Sequence, residues 1–221
     1  HNFKTIKTKL MKKRSITLLI LTAAFYLTAC KSEVKKETVK EETPTEEVKT
    51  STAPFAVLNA KNDINFTAYK TTDKIAVGGT FTKLDVVSGG EGNSVKEAIH
   101  NTEFSIPVSS LATKDSSRDY KIRKFFFGVM DNTKLLSGKL MLNDDTNGTA
   151  KITMNGETKD VPFTYTIEDK TFNMKAIIDV NTWNASAALA SLNKVCEALH
   201  TGGDGVSKTW SEVALNITST F

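Results

Sequence analysis

The chain is short of the residues from which most active sites are built. Of its 221 residues only three are histidine and two are cysteine. His1 falls in the leader described below, which leaves His100 and His200. No Gly-x-Ser-x-Gly elbow occurs, and no two histidines stand at a spacing that suits a metal. Nucleophilic and metal-assisted catalysis therefore have little to draw on. A hydrolase using Arg118, Asp119 and His100 stays open as an alternative, but the expectation is a protein that is not an enzyme. An excess of positive charge is also missing once the chain is divided. The formal charge is +4, yet residues 1–29 hold Lys4, Lys7, Lys9, Lys12, Lys13 and Arg14 and no acid, so the remainder carries −2. That balance leaves no electrostatic footprint for nucleic acid. Lastly, the apolar run from Ile16 to Leu27 falls short of the roughly 20 residues a membrane-spanning helix needs.

The flanks of that run say what it does instead. From Met11 the chain reads MKKRSITLLILTAAFYLTAC: a basic start, an apolar centre, then Thr28, Ala29 and Cys30. This is the pattern of a secretory signal peptide. Leu27-Thr28-Ala29-Cys30 resembles the bacterial lipobox, in which the cysteine thiol receives a diacylglycerol before cleavage. The resemblance implies a mature N-terminus at Cys30 and a lipid anchor in the membrane. The plainer alternative is a secreted protein cut near Ala29. Residues 1–29 are thus leader and lipoprotein signal peptide, with residues 1–10 preceding the start at Met11. Lys31 after the cysteine points, by analogy with sorting in some bacteria, to the outer membrane facing the periplasm.

Acylation of Cys30 would leave Cys196 without a disulfide partner. A domain of about 160 residues can do without one, since it buries on the order of 70% of its unfolded surface. Residues 30–54 are rich in lysine, glutamate and threonine and nearly free of apolar side chains. They cannot offset their ordering entropy by burial and read as a disordered tether.

From Asn62 onward the pattern has a period of two. Ile64, Phe66 and Ala68 begin it, followed by Ile75, Val77, Gly79 and Phe81. The stretch from Phe104 to Gly128 organises the rest: an alternating strand with Phe104, Ile106 and Val108 on one face, a polar segment, then three consecutive phenylalanines that need cover. Four closely spaced strands follow, with inner rows led by Leu136, Ala150, Val161 and Phe172. Their short polar turns require antiparallel neighbours. Leu189, Leu192, Cys196 and Leu199 then recur at helical spacing, predicting one amphipathic helix over Ser186 to His200. Val213, Leu215, Ile217 and Ser219 close the chain. The prediction is a mainly β domain over residues 55–221: an eight-stranded antiparallel barrel with one amphipathic helix near the C-terminus.

A barrel of eight strands is either filled by its own side chains or just wide enough for one small ligand. The inner rows are rich in Phe, Leu, Ile and Met, but Gly79, Gly138, Ala150 and Ala176 leave room. Phe66, Phe81, Phe104, Ile106, Phe126, Leu140, Phe163, Tyr165 and Met174 are the candidate lining for an apolar ligand. A filled core serving a structural or partner-binding role is the alternative. Arg118 and Asp119 either grip a ligand headgroup at the mouth or fix their own loop. Asn143 to Gly148 begins like a calcium loop but has Met154 where the bidentate glutamate belongs, so it reads as a hairpin turn. Cys196 and His200, one helical turn apart, have no second pair to complete a metal site. No metal is expected.

The segments ATKDSSRDYKIRKFFFG and LMLNDDTNGTAKITMNGETKDVPFTYT resemble the YceI-like family of envelope proteins. Thr113, Arg118, Asp119, Phe126 and Phe127 match one signature of that family, and Gly156, Thr158 and Val161 match another; Gly78 to Phe81 resembles its first hairpin. The resemblance implies a lipocalin-like barrel that binds a polyisoprenoid or an isoprenoid quinone, for storage, transport or sensing. It implies no cofactor beyond that lipid. Lys121 departs from the family, which often has histidine there.

Overall fold

The computed structural model describes residues 50–221, so the expected signal peptide, Cys30 and most of the expected tether lie outside the described residues. In chain order the elements are β1 (Phe55–Ala56), β2 (Lys61–Lys70), β3 (Ile75–Phe81), β4 (Asp85–Ser88), β5 (Glu91–Gly92), α1 (Val95–Ile99), β6 (Glu103–Pro107), β7 (Leu111–Ala112), α2 (Ser116–Phe125), β8 (Leu135–Leu142), β9 (Asn147–Met154), β10 (Glu157–Glu168), β11 (Thr171–Asp179), α3 (Ser186–Val195), α4 (Glu197–His200) and β12 (Thr209–Thr220). Among the described residues no helix is long and apolar enough to cross a membrane.

One curled antiparallel sheet carries the fold, in the order β4-β6-β8-β9-β10-β11-β12-β2-β3-β7. Each of the eight alternating segments is a strand of this sheet, but the count of eight is corrected to ten by β4 and β7. These have four and two residues, too few for alternation to show. A separate two-stranded ladder pairs Phe55 with Gly92. Only the 3-10 turn Val108–Ser110 separates β6 from β7. One segment of chain therefore pairs with β8 at its start and with β3 at its end, where Phe81 faces Leu111. Both margins of the sheet meet on residues 103–112, and the sheet curls into a barrel-like half-barrel.

Alternation decides which side chains face inward. Along β10 Val161, Phe163 and Tyr165 are buried, while Pro162, Thr164 and Thr166 between them are exposed. The C-terminal helix differs from expectation. The stretch Ser186 to His200 forms two helices instead of one, broken at Cys196, whose N–H is shared between the carbonyls of Leu192 and Asn193. The polar segment after β7 forms α2, with the Asp115 carboxylate capping it by accepting from the Arg118 N–H at 3.0 Å. That bond, first among its causes, holds the Asp115 carboxyl below the usual carboxylate range. α1 directly follows a segment of glycine-rich loop composition, and a Ser-x-x-Glu pattern caps its N-terminus: Ser94 Oγ accepts from Glu97 N–H, and Glu97 Oε2 accepts from Asn93 N–H.

Two contacts fasten the C-terminal helices to the sheet. Trp183, 1% exposed, ends the 3-10 turn after β11; its indole N–H donates to the Ile152 carbonyl at 3.0 Å. At the other end of α3 and α4, His200 Nδ1 lies 2.7 Å from the Thr209 hydroxyl on β12. Burial first, and then the nearby Lys70 and Lys121, holds the His200 imidazole below its ordinary range.

Two predictions follow from these fastenings. Trp183→Ala removes a large buried side chain and a satisfied hydrogen bond, and is expected to lower unfolding free energy by about 3–5 kcal/mol in a denaturant titration. His200 takes up a proton less readily in the fold than when unfolded. Stability is therefore expected to fall as pH drops below about 6.5, with His200→Gln flattening that slope in thermal melts across the same range.

Candidate functional site

The inner rows do not fill the sheet. Two adjoining chambers run along its bore, of about 150 Å³ and about 130 Å³. The first is walled by Ile64, Phe104, Ile106, Leu140, Ala150, Ile152, Phe172, Met174 and Ile217, and is closed at its end by Val57, Leu84, Ile99 of α1 and Thr102. The second is walled by Phe66, Ala68, Leu111 and Val213 and roofed by Ile122 of α2, Phe126, Phe127, Leu189 of α3 and Trp210. Phe81, Leu136, Met154, Ile178 and Leu215 border both and form the waist between them.

The few polar groups at these walls are already partnered. In the first chamber the Thr102 hydroxyl donates to the Ala98 carbonyl at 2.6 Å, and that of Ser219 to Asn62 Oδ1 at 2.6 Å. In the second, the Thr209 hydroxyl donates to Asn193 Oδ1 at 2.8 Å and the Trp210 indole N–H to the Thr71 carbonyl at 2.7 Å. A guest here meets methyls, methylenes and rings. What such a surface rewards is apolar area, not a hydrogen-bonding pattern.

Of the candidate lining, Phe104, Ile106, Leu140 and Met174 border the first chamber, Phe66 and Phe126 the second, and Phe81 both. Phe163 and Tyr165 border neither. Both are buried in ring packing: Phe163 lies 6.2 Å from Tyr165, and Tyr165 5.5 Å from Phe172, centroid to centroid. The Tyr165 hydroxyl is taken as well, donating to the Asp144 carbonyl at 2.5 Å. Val57, Leu84, Ile99 and Thr102 come from the capping segments, where no alternation marks them. Met154 and Ile178 belong to inner rows that the alternation does single out.

The polar pair on α2 also lies away from both chambers. Asp119 Oδ1 accepts from the N–H and the hydroxyl of Thr113, at 2.8 Å and 2.6 Å, and so ties the loop before α2 to the helix. The Arg118 guanidinium stands 3.6 Å from the Asp115 carboxylate in a half-exposed pair. The arginine that reaches the sheet is Arg123, donating to the Leu111 carbonyl at 3.0 Å. Arg118 does share its surroundings with Lys70 and Lys121, since all three act on buried Cys196. Burial raises the thiol above its ordinary range, the dominant cause, and these cations oppose it. Lys70 Nζ donates to the Leu199 carbonyl at 3.0 Å.

The calcium-like loop closes on itself. The Asp144 carboxylate accepts from the N–H groups of Thr146 and Asn147 and from the Asn147 amide, and these bonds, Thr146 first, lower its carboxyl to about 2. Among the described residues no three histidine, cysteine, aspartate or glutamate side chains are grouped to hold a metal ion.

Comparison with known proteins agrees with this architecture. Among curated protein sequences nothing matches the chain. Several solved structures align with the chain at low identity. A polyisoprenoid-binding domain from Saccharophagus degradans, implicated in plant cell wall breakdown, aligns at a TM-score of 0.50 and 11% identity, over 72% of this chain and 93% of that one. Burkholderia cenocepacia BcnA aligns at a TM-score of 0.48 and 16% identity, over 72% and 96%. A Campylobacter jejuni YceI protein aligns at 0.43 and 18%, over 63% and 84%. The YceI-like domain model matches residues 55–221, which spans every strand from β1 to β12 and both chambers; the chain belongs to the YceI-like family.

Proposed function

We propose that this protein is an envelope lipoprotein, anchored through Cys30, whose folded domain holds the tail of a linear apolar lipid such as a polyprenyl chain or an isoprenoid quinone. The observation that supports it most is the pair of adjoining chambers, whose polar wall atoms are already partnered. Water has nothing to bond to there, and a dry cavity of about 150 Å³ takes a guest roughly the size of benzene. Two in series take about two isoprene units as they stand. At about 0.8 kcal/mol per carbon, ten carbons gain about 8 kcal/mol before association costs of at least about 4. A ten-carbon chain alone binds weakly on that reckoning. Longer chains gain more if the bore extends around them, and the flexible Met154 and Met174 are the wall residues best able to yield. The polyisoprenoid-binding description of the Saccharophagus domain supports the same ligand class, and the signal peptide and lipobox-like sequence support the anchor and the periplasmic face of the outer membrane.

Organic extraction of the purified full chain followed by mass spectrometry is expected to recover a prenyl lipid or quinone; recovery of none would favour a filled core with no small-molecule role. Ala150, 1% exposed, borders the first chamber. Ala150→Phe is expected to weaken binding of a fluorescent apolar reporter about tenfold or more while costing about 1–3 kcal/mol of stability through overpacking. For the anchor, Cys30→Ala is expected to move the protein from the membrane to the soluble fraction, and continued sedimentation with membranes would refute acylation at that residue.

A further inference from the structure

Three phenylalanines of the inner rows stand directly opposite glycines on the neighbouring strand: Phe66 faces Gly79, Phe104 faces Gly138 and Phe163 faces Gly148. In each pair the ring occupies the place where the glycine's missing side chain would be. A β-carbon on Gly79 would stand 2.7 Å from Cε1 of Phe66, one on Gly138 would stand 2.7 Å from Cζ of Phe104, and one on Gly148 would stand 2.5 Å from Cε2 of Phe163. A carbon cannot be added at any of the three without moving something. The rings thus lie along the wall, and each chamber borders one of them, Phe104 in the first and Phe66 in the second.

We propose that Gly79 sets the length of apolar chain this protein accepts, by giving the Phe66 ring a place on the β3 wall and so keeping the second chamber continuous with the first. The proposal rests on reading the bore as a lipid site and adds to it the residue that decides which lipids fit. Gly79 is a more selective determinant than Gly138. The three heavy atoms nearest a β-carbon on Gly79 all belong to the Phe66 ring, the far end of a rotatable side chain. A β-carbon on Gly138 would also strike the Lys151 carbonyl, which is backbone and part of the sheet. A methyl group at position 79 therefore displaces the ring alone. The ring leaves the wall for the chamber it borders, so the second chamber closes while the first keeps its walls. A chain short enough for the first chamber alone loses little. Chains that must run through the waist lose the contacts beyond it.

The test compares all-trans prenols of ten and twenty carbons, titrated against a bound fluorescent reporter on the purified full chain. Wild-type protein is expected to prefer the longer prenol by about tenfold or more, since each tenfold step needs only about 1.4 kcal/mol, less than the burial of two further methylenes. In Gly79→Ala that preference is expected to shrink to below about threefold, the twenty-carbon prenol losing more affinity than the ten-carbon one, and Phe66→Ala added to Gly79→Ala restores it. An unchanged preference, an equal loss for both prenols, or no recovery in the double variant overturns the proposal. Should Gly79→Ala fail to fold, Phe66→Ala alone serves: it is expected to raise affinity for the longer prenol about threefold or more, and no gain overturns the proposal. A wild-type protein that binds neither prenol refutes the lipid reading itself, and this inference with it.

Discussion

What keeps this bore from being solid is a cross-strand contact between an aromatic ring and a bare α-carbon. A curled sheet of this size has little interior to spare, and its inner rows carry enough phenylalanine, leucine and methionine to fill it. Where Phe66 and Phe104 face glycine, the ring can sit against the opposite strand, as close as a side chain's own β-carbon would be. The strand gains the aromatic cover that glycine lacks, and the lumen keeps the space the ring would otherwise take. Where the same pairing is backed by further rings, as at Phe163 with Tyr165 and Phe172, the bore is filled. One device thus gives an open or a packed interior according to what stacks behind it.

The division between fold and site in the sequence follows from periodicity. A strand buried on one face must alternate, and a one-residue slip would turn its whole apolar set outward, so the eight long strands are legible. The short ones are not. Leu111–Ala112 and Asp85–Ser88 are too brief to show a period, yet they supply the sheet's margins. The cap of α1 was present as Ser94 and Glu97 at capping spacing, hidden within a segment whose glycines suggest only a loop. For the site, alternation says which side chains point inward but not how far along the bore each sits. That is why Phe66 and Phe104 belong to chambers while Phe163 and Tyr165, with equal inward orientation, belong to packing. The walls supplied by Val57 and Ile99 were beyond the pattern altogether, because caps are made by segments that have no period.

The polar residues that drew attention in the sequence turn out to serve the scaffold. Asp119 holds Thr113, Asp144 holds its own turn, and Tyr165 spends its hydroxyl on a backbone carbonyl. Each is an acceptor or donor that a loop or barrel end would otherwise leave unsatisfied. The membership of the chain in the YceI-like family fits a domain whose interior is reserved for apolar contact and whose polar chemistry is spent on closing turns.

Leu111 occupies an unusual position in this arrangement. It makes half of the two-residue ladder that fastens β7, one margin of the sheet, to β3, its carbonyl is held by Arg123 of the helix that roofs the second chamber, and its side chain is part of that chamber's wall. Seam, roof and wall are therefore mechanically in series. A force that lifts α2 is transmitted through Arg123 to the shortest ladder in the barrel, so uncapping the end and loosening the side are coupled rather than independent.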